Sequence, residues 1–132
     1  SYFDVIKSRL KPSGRAAIQT IAIGNAAFNS YRGTPDFIQH YIFPGGMLPS
    51  QAIFEQNVCQ NNLKIEDTFF FGRSYAETLR RWKSAFLMTW PKIAKLGFDQ
   101  RFQRMWLYYL CYSEVGFESG RINVGQFLIT HK

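Results

Sequence analysis

Arg15-Ala16-Ala17-Ile18-Gln19-Thr20-Ile21-Ala22-Ile23 is broken, after its opening arginine, only by Gln19 and Thr20. A nearly continuous apolar run after a helix and a turn marks a buried parallel strand. The preceding segment fits that reading. Tyr2 to Leu10 has Phe3, Ile6 and Leu10 on one helical side, and Lys11-Pro12-Ser13-Gly14 stops the helix and turns the chain. Helix, turn and buried strand make an α/β unit.

Working outward, Gly24 to Pro49 is a long connection. It holds Tyr31-Arg32, helical spacing from Asp36 to Tyr41, and Phe43-Pro44-Gly45-Gly46-Met47-Leu48-Pro49. Long ordered connections in compact domains often serve as lids or binding loops. The Pro-Gly-Gly segment by itself is a tight turn. Ser50 is a good cap for a helix over Gln51 to Asn61, with Ile53, Val58 and Cys59 facing inward. Leu63 to Phe71 reads as a second strand.

Tyr75, Leu79, Trp82, Phe86 and Trp90 recur at helical steps, so Tyr75 to Trp90 is a helix. Pro91 can begin a new helical turn, and Gly97 interrupts the pattern. A second helix, Asp99 to Phe117, carries the stripe Phe98, Phe102, Met105, Tyr109 and Tyr112, widened by Trp106, Leu110 and Phe117. Gly120 ends it. Ile122, Val124, Phe127 and Ile129 suggest a last strand whose parity slips between Val124 and Phe127, which a bulge would explain.

The 132 residues fit one domain or part of one. With 46% hydrophobic and 17% aromatic residues, a disordered tail is excluded. Two cysteines, Cys59 and Cys111, make neither a disulfide framework nor a zinc-spaced cluster, and a reducing cytoplasm suits them. No metal site is expected. No apolar run reaches the roughly 18 residues of a membrane span, and no secretory signal opens the chain. The sequence lacks an initiator Met and opens within a helix, which suggests a fragment.

The net charge of +7 is uneven. Ser1 to Phe71 contributes +1, whereas Gly72 to Lys132 contributes +6 through Arg73, Arg80, Arg81, Lys83, Lys92, Lys95, Arg101, Arg104 and others. Such a field serves nucleic acid, an anionic membrane or plain solubility, and charge alone does not choose. No GxGxxG, Walker loop, GxSxG, HExxH or paired catalytic carboxylates occur. His40 and His131 read as ordinary histidines. Gln19 is the odd polar residue in its strand: either a structural hydrogen bond or a site group at a strand's carboxyl end, where open α/β sheets bind ligands. Tyr75 follows the next strand at the corresponding edge.

Several longer words occur in a fixed order. They are Leu10-Lys11-Pro12-Ser13-Gly14-Arg15, Ile18-Gln19-Thr20-Ile21, the stretch Asp36 to Ser50 with Phe43-Pro44-Gly45-Gly46-Met47-Leu48-Pro49, Tyr75-Ala76-Glu77-Thr78-Leu79-Arg80-Arg81-Trp82, Gly97 to Leu110, and Gly120 to Gln126. This series resembles the C-terminal half of the cyclopropane-fatty-acyl-phospholipid and mycolic acid cyclopropane synthases, across essentially the whole chain. The resemblance implies the C-terminal part of a Rossmann-like, S-adenosylmethionine-dependent methyltransferase fold: three strands with helices and a lipid-facing insertion at about 24–50. The cofactor-binding N-terminal portion, with its glycine-rich loop, acidic ribose partner and catalytic Glu and Cys, would lie upstream, so an isolated fragment is expected to be inactive.

The family reaction adds a methylene across a cis double bond of an acyl chain, and a bound bicarbonate removes the proton. The resemblance maps the family's tyrosine onto Tyr75 and an isoleucine with a participating backbone carbonyl onto Ile21. It puts Gln19 where the family has histidine. Gln donates a hydrogen bond but neither carries charge nor exchanges a proton, so either the ring or an unringed methylated chain is a product to consider. Phe43, Leu48 and Leu79 are candidates for the acyl channel. The implied partner is unsaturated phospholipid at a membrane surface, reached from the cytoplasm by a protein peripheral to the inner membrane, with the basic second half facing anionic headgroups. A nucleic-acid-binding module is the rival from another class. It would show exposed aromatics beside its arginines, whereas the stripes here read as buried. Strands cut from a larger sheet leave an open edge, so homo-oligomers of the chain are expected.

Overall fold

The computed structural model describes residues 2–132. Its elements are α1 (Tyr2–Arg9), β1 (Ala16–Ile23), α2 (Asn25–Gly33), a π-helical turn (Ile38–Ile42), α3 (Gln51–Gln60), β2 (Leu63–Phe70), α4 (Gly72–Ala94), α5 (Gln100–Glu118) and β3 (Ile122–His131). The three strands form one sheet in the order β1-β3-β2.

β3 runs antiparallel to both neighbours, so β1 and β2 point the same way without touching. This corrects the parallel-strand reading of 15–23. β1 is covered on both faces only at its carboxyl end, where Ala22 and Ile23 are buried; Ala17 and Gln19 are exposed. An apolar run therefore reported a strand and not its pairing. The ladder with β3 runs unbroken from Ala16–Ile129 to Ile23–Ile122. The bulge lies in β2, between Ile65 and Asp67. The parity slip in β3 has another cause: Ile122 and Val124 pack with α4 and α5 on one face, while Phe127 and Ile129 pack with α1 and α3 on the other. Successive strand side chains point to opposite faces, so one strand serves two cores without an inserted residue.

The first core gathers Phe3, Phe54, Val58, Leu63, Phe127 and Ile129, with Ile6, Leu10 and Ile18 against it. α1 thus buries the side expected of it. Ser50 caps α3, its Oγ accepting from the Ile53 N–H at 3.2 Å. That helix buries Phe54 and Val58, while Ile53 is half-buried and Cys59 exposed. Val58 thus faces inward as expected, with Phe54 in place of Ile53 and Cys59.

The second core gathers Ala76, Leu79, Leu110, Phe117 and Val124. Neighbouring antiparallel strands need only a two-residue turn between them, yet β2 and β3 are joined by the whole α4–α5 hairpin. α4 continues through Pro91 to Ala94. Gly97 (φ 98°) makes the reversal, and the Asp99 carboxylate caps α5 by accepting from the Phe102 N–H at 2.8 Å. Buried residues occur only where the hairpin meets the sheet, at Gly72, Ala76 and Leu79 and again at Leu110, Ser113 and Phe117; from Arg80 to Tyr109 none is buried. The aromatic stripes are thus partly open, with Trp82 at 49% and Tyr108 at 53% exposure. At the root of the arm, Asn123 Oδ1 accepts from the Gly72 N–H at 3.0 Å, and a Cβ at Gly72 would stand 2.3 Å from that oxygen. A side chain at position 72 would displace the Asn123 amide that holds the start of the helix to β3.

Candidate functional site

Three pieces of chain converge above the carboxyl end of β1. The 24–50 insertion forms one wall, the roots of α4 and α5 the other, and Ile21 with Ile122 the floor. They enclose an apolar cleft of about 360 Å³. Ile21, Phe43, Leu48, Tyr75 and Leu79, all expected at the site, line this one cleft. A larger hollow of about 650 Å³ runs between the insertion and α5 and shares Tyr31, Asp36, Ile38, Leu48 and Ile122 with it. The two are adjoining compartments of one trough. The smaller holds the convergent groups.

Sequence makes each wall. The step from Phe43 to Gly46 is a turn closed by Gly46 N–H to Phe43 C=O at 2.9 Å, with Gly45 at φ 77°. Proline then glycine at the two central positions suit such a turn. Asp36 and Gln39 bond reciprocally through side chain and backbone, and Gln39 Nε2 donates to the Gly46 carbonyl at 2.9 Å. Tyr31 Oη accepts from the Leu48 N–H, and Tyr112 Oη donates to Asp36 at 3.1 Å. The insertion is therefore stitched to itself and clipped to α5. Burial, followed by the Asp36 charge, raises the Tyr112 phenol above its ordinary pKa.

Tyr75 stands in the first turn of α4, its ring edge-on to Phe117 at 4.9 Å and to Trp82 at 5.9 Å. Its hydroxyl makes no hydrogen bond to a protein group among the described residues. Tyr109 lies opposite, edge-on to Phe43 at 6.3 Å, and burial together with neighbouring Tyr75 raises its phenol. Trp82, Tyr109 and Tyr31 also line the cleft and were not among the expected site residues. Trp82 and Tyr109 did sit on the helical stripes, but a stripe does not distinguish core from cleft.

Gln19 is not brought to the cleft. It is exposed in mid-strand, two residues before Ile21 on the same face, and its Oε1 accepts from Gln126 Nε2 at 3.1 Å. Neither the buried position nor the strand-end position expected for it is found. The Ile21 carbonyl also faces away. Gly24 N–H bonds Arg121 C=O across the ladder and Ile23 N–H turns outward to Pro49 C=O. By alternation Ile21 C=O points to the free edge of β1, where it accepts from Thr20 Oγ1 at 3.2 Å. Tyr75, Ile21 C=O and Gln19 therefore do not enclose an anion, and the described residues do not by themselves fit a bicarbonate site.

The sheet, its late antiparallel strand and the apolar trough define part of an S-adenosylmethionine-dependent methyltransferase fold. The mycolic acid cyclopropane synthase CmaA1 solved in complex with SAH and CTAB superposes with a TM-score of 0.86 at 25% identity, over 99% of this chain and 48% of that one. The cyclopropane synthase MmaA2 from Mycobacterium tuberculosis superposes at 0.85, over 97% and 48%. Residues 1–127 match the family described as mycolic acid cyclopropane synthetase, and the chain belongs to that family. It is 43% identical over 129 residues to the tuberculostearic acid methyltransferase UfaA1 of M. tuberculosis, covering 97% of this chain and 30% of that protein. It is 37% identical over 110 residues to the cyclopropane-fatty-acyl-phospholipid synthase of Escherichia coli K12, covering 83% and 27%. The chain thus spans less than a third of the length of these relatives.

Proposed function

We propose that the protein belongs to an S-adenosylmethionine-dependent methyltransferase that modifies the cis double bond of an unsaturated acyl chain, carried on phospholipid and reached from the cytoplasmic side of a membrane. The observation that carries this reading is the apolar cleft shared by Ile21, Phe43, Leu48, Tyr75 and Leu79. An acyl chain needs no polar partner along its length, and this wall offers few. Methyl attack on an alkene leaves positive charge on carbon. A closed apolar wall keeps water from that carbon, and the ring faces of Tyr75, Trp82 and Tyr109 favour positive charge beside them.

S-adenosylmethionine supplies the electrophilic methyl when bound. Ile23 and Phe70 end the two strands that point the same way, and Ile122 opens the antiparallel one beside them, so no strand-end carboxylate stands there to meet a ribose. The described residues fit the acceptor side of the reaction and not the adenosine side.

Addition of a methylene to give a cyclopropane is the first product of this reading. An unringed methylated chain is the second, favoured by the 43% identity to a tuberculostearic acid methyltransferase. The test is incubation of the protein, in its full-length form, with methyl-labelled S-adenosylmethionine and unsaturated phospholipid vesicles, followed by mass spectrometry of the acyl chains. Label in the chain is expected. Absence of label from lipid would overturn the reading.

A further inference from the structure

The α4–α5 arm has a free end whose chemistry differs from its root. At the root, Glu77, Glu114 and Glu118 pair with Arg80, Arg81 and Lys83 at 2.9–3.4 Å. At the tip, Lys92, Lys95, Arg101 and Arg104 form no salt bridge among the described residues, and the one carboxylate nearby, Asp99, is spent on its cap. Helix stability does not explain all four cations. Lys92 and Lys95 suit the carboxyl end of α4, but Arg101 sits in the first turn of α5, where the helix dipole repels positive charge. Among them project Leu87, Met88, Leu96 and Phe98, with Met88 at 78% and Leu96 at 77% exposure. Apolar side chains at a projecting end, ringed by cations on flexible stems, match the interface of an anionic bilayer, with the stems snorkelling to headgroups.

We propose that residues 87–104 form a docking tip that seats Met88, Leu96 and Phe98 in an anionic lipid surface while Lys92, Lys95, Arg101 and Arg104 meet its headgroups. This deepens the acyl-chain reading by naming the element that meets the membrane, and rests on it for the choice of lipid over other anions. Each cation removed near such a surface weakens binding about fivefold.

Cosedimentation with vesicles tests it. The protein binds vesicles containing phosphatidylglycerol at least tenfold more tightly than pure phosphatidylcholine, and salt weakens the binding. The triple variant Lys92→Gln, Lys95→Gln, Arg101→Gln loses roughly a hundredfold. Met88→Ser with Leu96→Ser weakens binding to both vesicle types while the preference for phosphatidylglycerol is kept. Lys11→Gln, Arg15→Gln, Lys64→Gln, at the opposite end of β1 and β2, changes nothing. Equal loss in that distal triple, indifference to anionic lipid, or tighter binding to a single-stranded oligonucleotide than to vesicles would overturn the proposal. Turnover of a detergent-dispersed acyl substrate by the full-length protein separates the two ideas. Tip variants keep it within about twofold if both hold. Wild-type docking through the tip with no turnover on any acyl substrate would sink the enzymatic reading alone.

Discussion

Tyr75 combines a ring held by Phe117 and Trp82 with a hydroxyl that no protein group engages. A phenol left open in an apolar cleft is positioned for a reacting or bound group and adds little to the core. Tyr75→Phe keeps the ring contacts, so thermal stability is expected to stay within about 0.5 kcal/mol of the parent. Methyl transfer by the full-length enzyme should fall at least about a hundredfold, the range for loss of a proton-handling group. Unchanged turnover would remove the hydroxyl from the chemistry. That Tyr75, Leu79, Phe43 and Leu48 share one cleft was legible because the helical stripe and the shared sequence words marked them, whereas Ile21 lines it without the carbonyl expected of it. Gln19 was misjudged for a physical reason. Neighbours in an apolar run suggest burial, but burial depends on what covers the strand, and α4 and α5 reach only the carboxyl end of β1.

At the scale of elements, the α4–α5 arm is fastened by its root. Glu114 is the hub: its carboxylate meets Lys83 at 2.9 Å and Arg80 at 3.4 Å. Lys83 first, and then Arg80, holds that carboxyl below its ordinary value near 4.5, and Arg81 and Arg80 do the same for Glu77. A carboxyl depressed in the folded state adds stability above the unfolded value and loses it as pH falls through the folded one. The melting temperature is therefore expected to hold from neutral pH to about 5 and to decline below 4.5, more steeply than in Glu114→Gln. Parallel curves for the two proteins would refute this role. Sequence periodicity found both helices and their break at Gly97. It could not find the arm's projection, because stripes of Trp, Phe and Tyr look the same whether they meet a sheet, each other or a ligand. The reversed bulge assignment has a similar origin: alternation within β3 was intact, and the change lay in which layer each face met.

For the molecule as a whole, the sheet has two strands paired on one side only. β1 offers its outer edge beyond the Ile23–Pro49 bond, and β2 offers the other. Edge backbone groups are ready templates for another chain, and Phe69, at 63% exposure, lies on β2 beside Gln126. The 132-residue chain is expected to self-associate, with light-scattering mass rising with concentration. A single monomeric mass across the range would exclude this.

The central position of β3 also imposes an order in time. Every ladder bond among these three strands involves Ile122–His131, the last of them in chain order. Ala16 must wait for Ile129, and Phe70 for Gly125. As the chain leaves the ribosome, α1 and the helical arm can begin to coil at once, since their bonds are local. β1 and β2 meanwhile emerge without their β3 partner. β1 and β2 therefore stay without this partner until the whole α4–α5 arm has been made, and their demand for chaperone shelter should fall when the ten-residue strand slots between them.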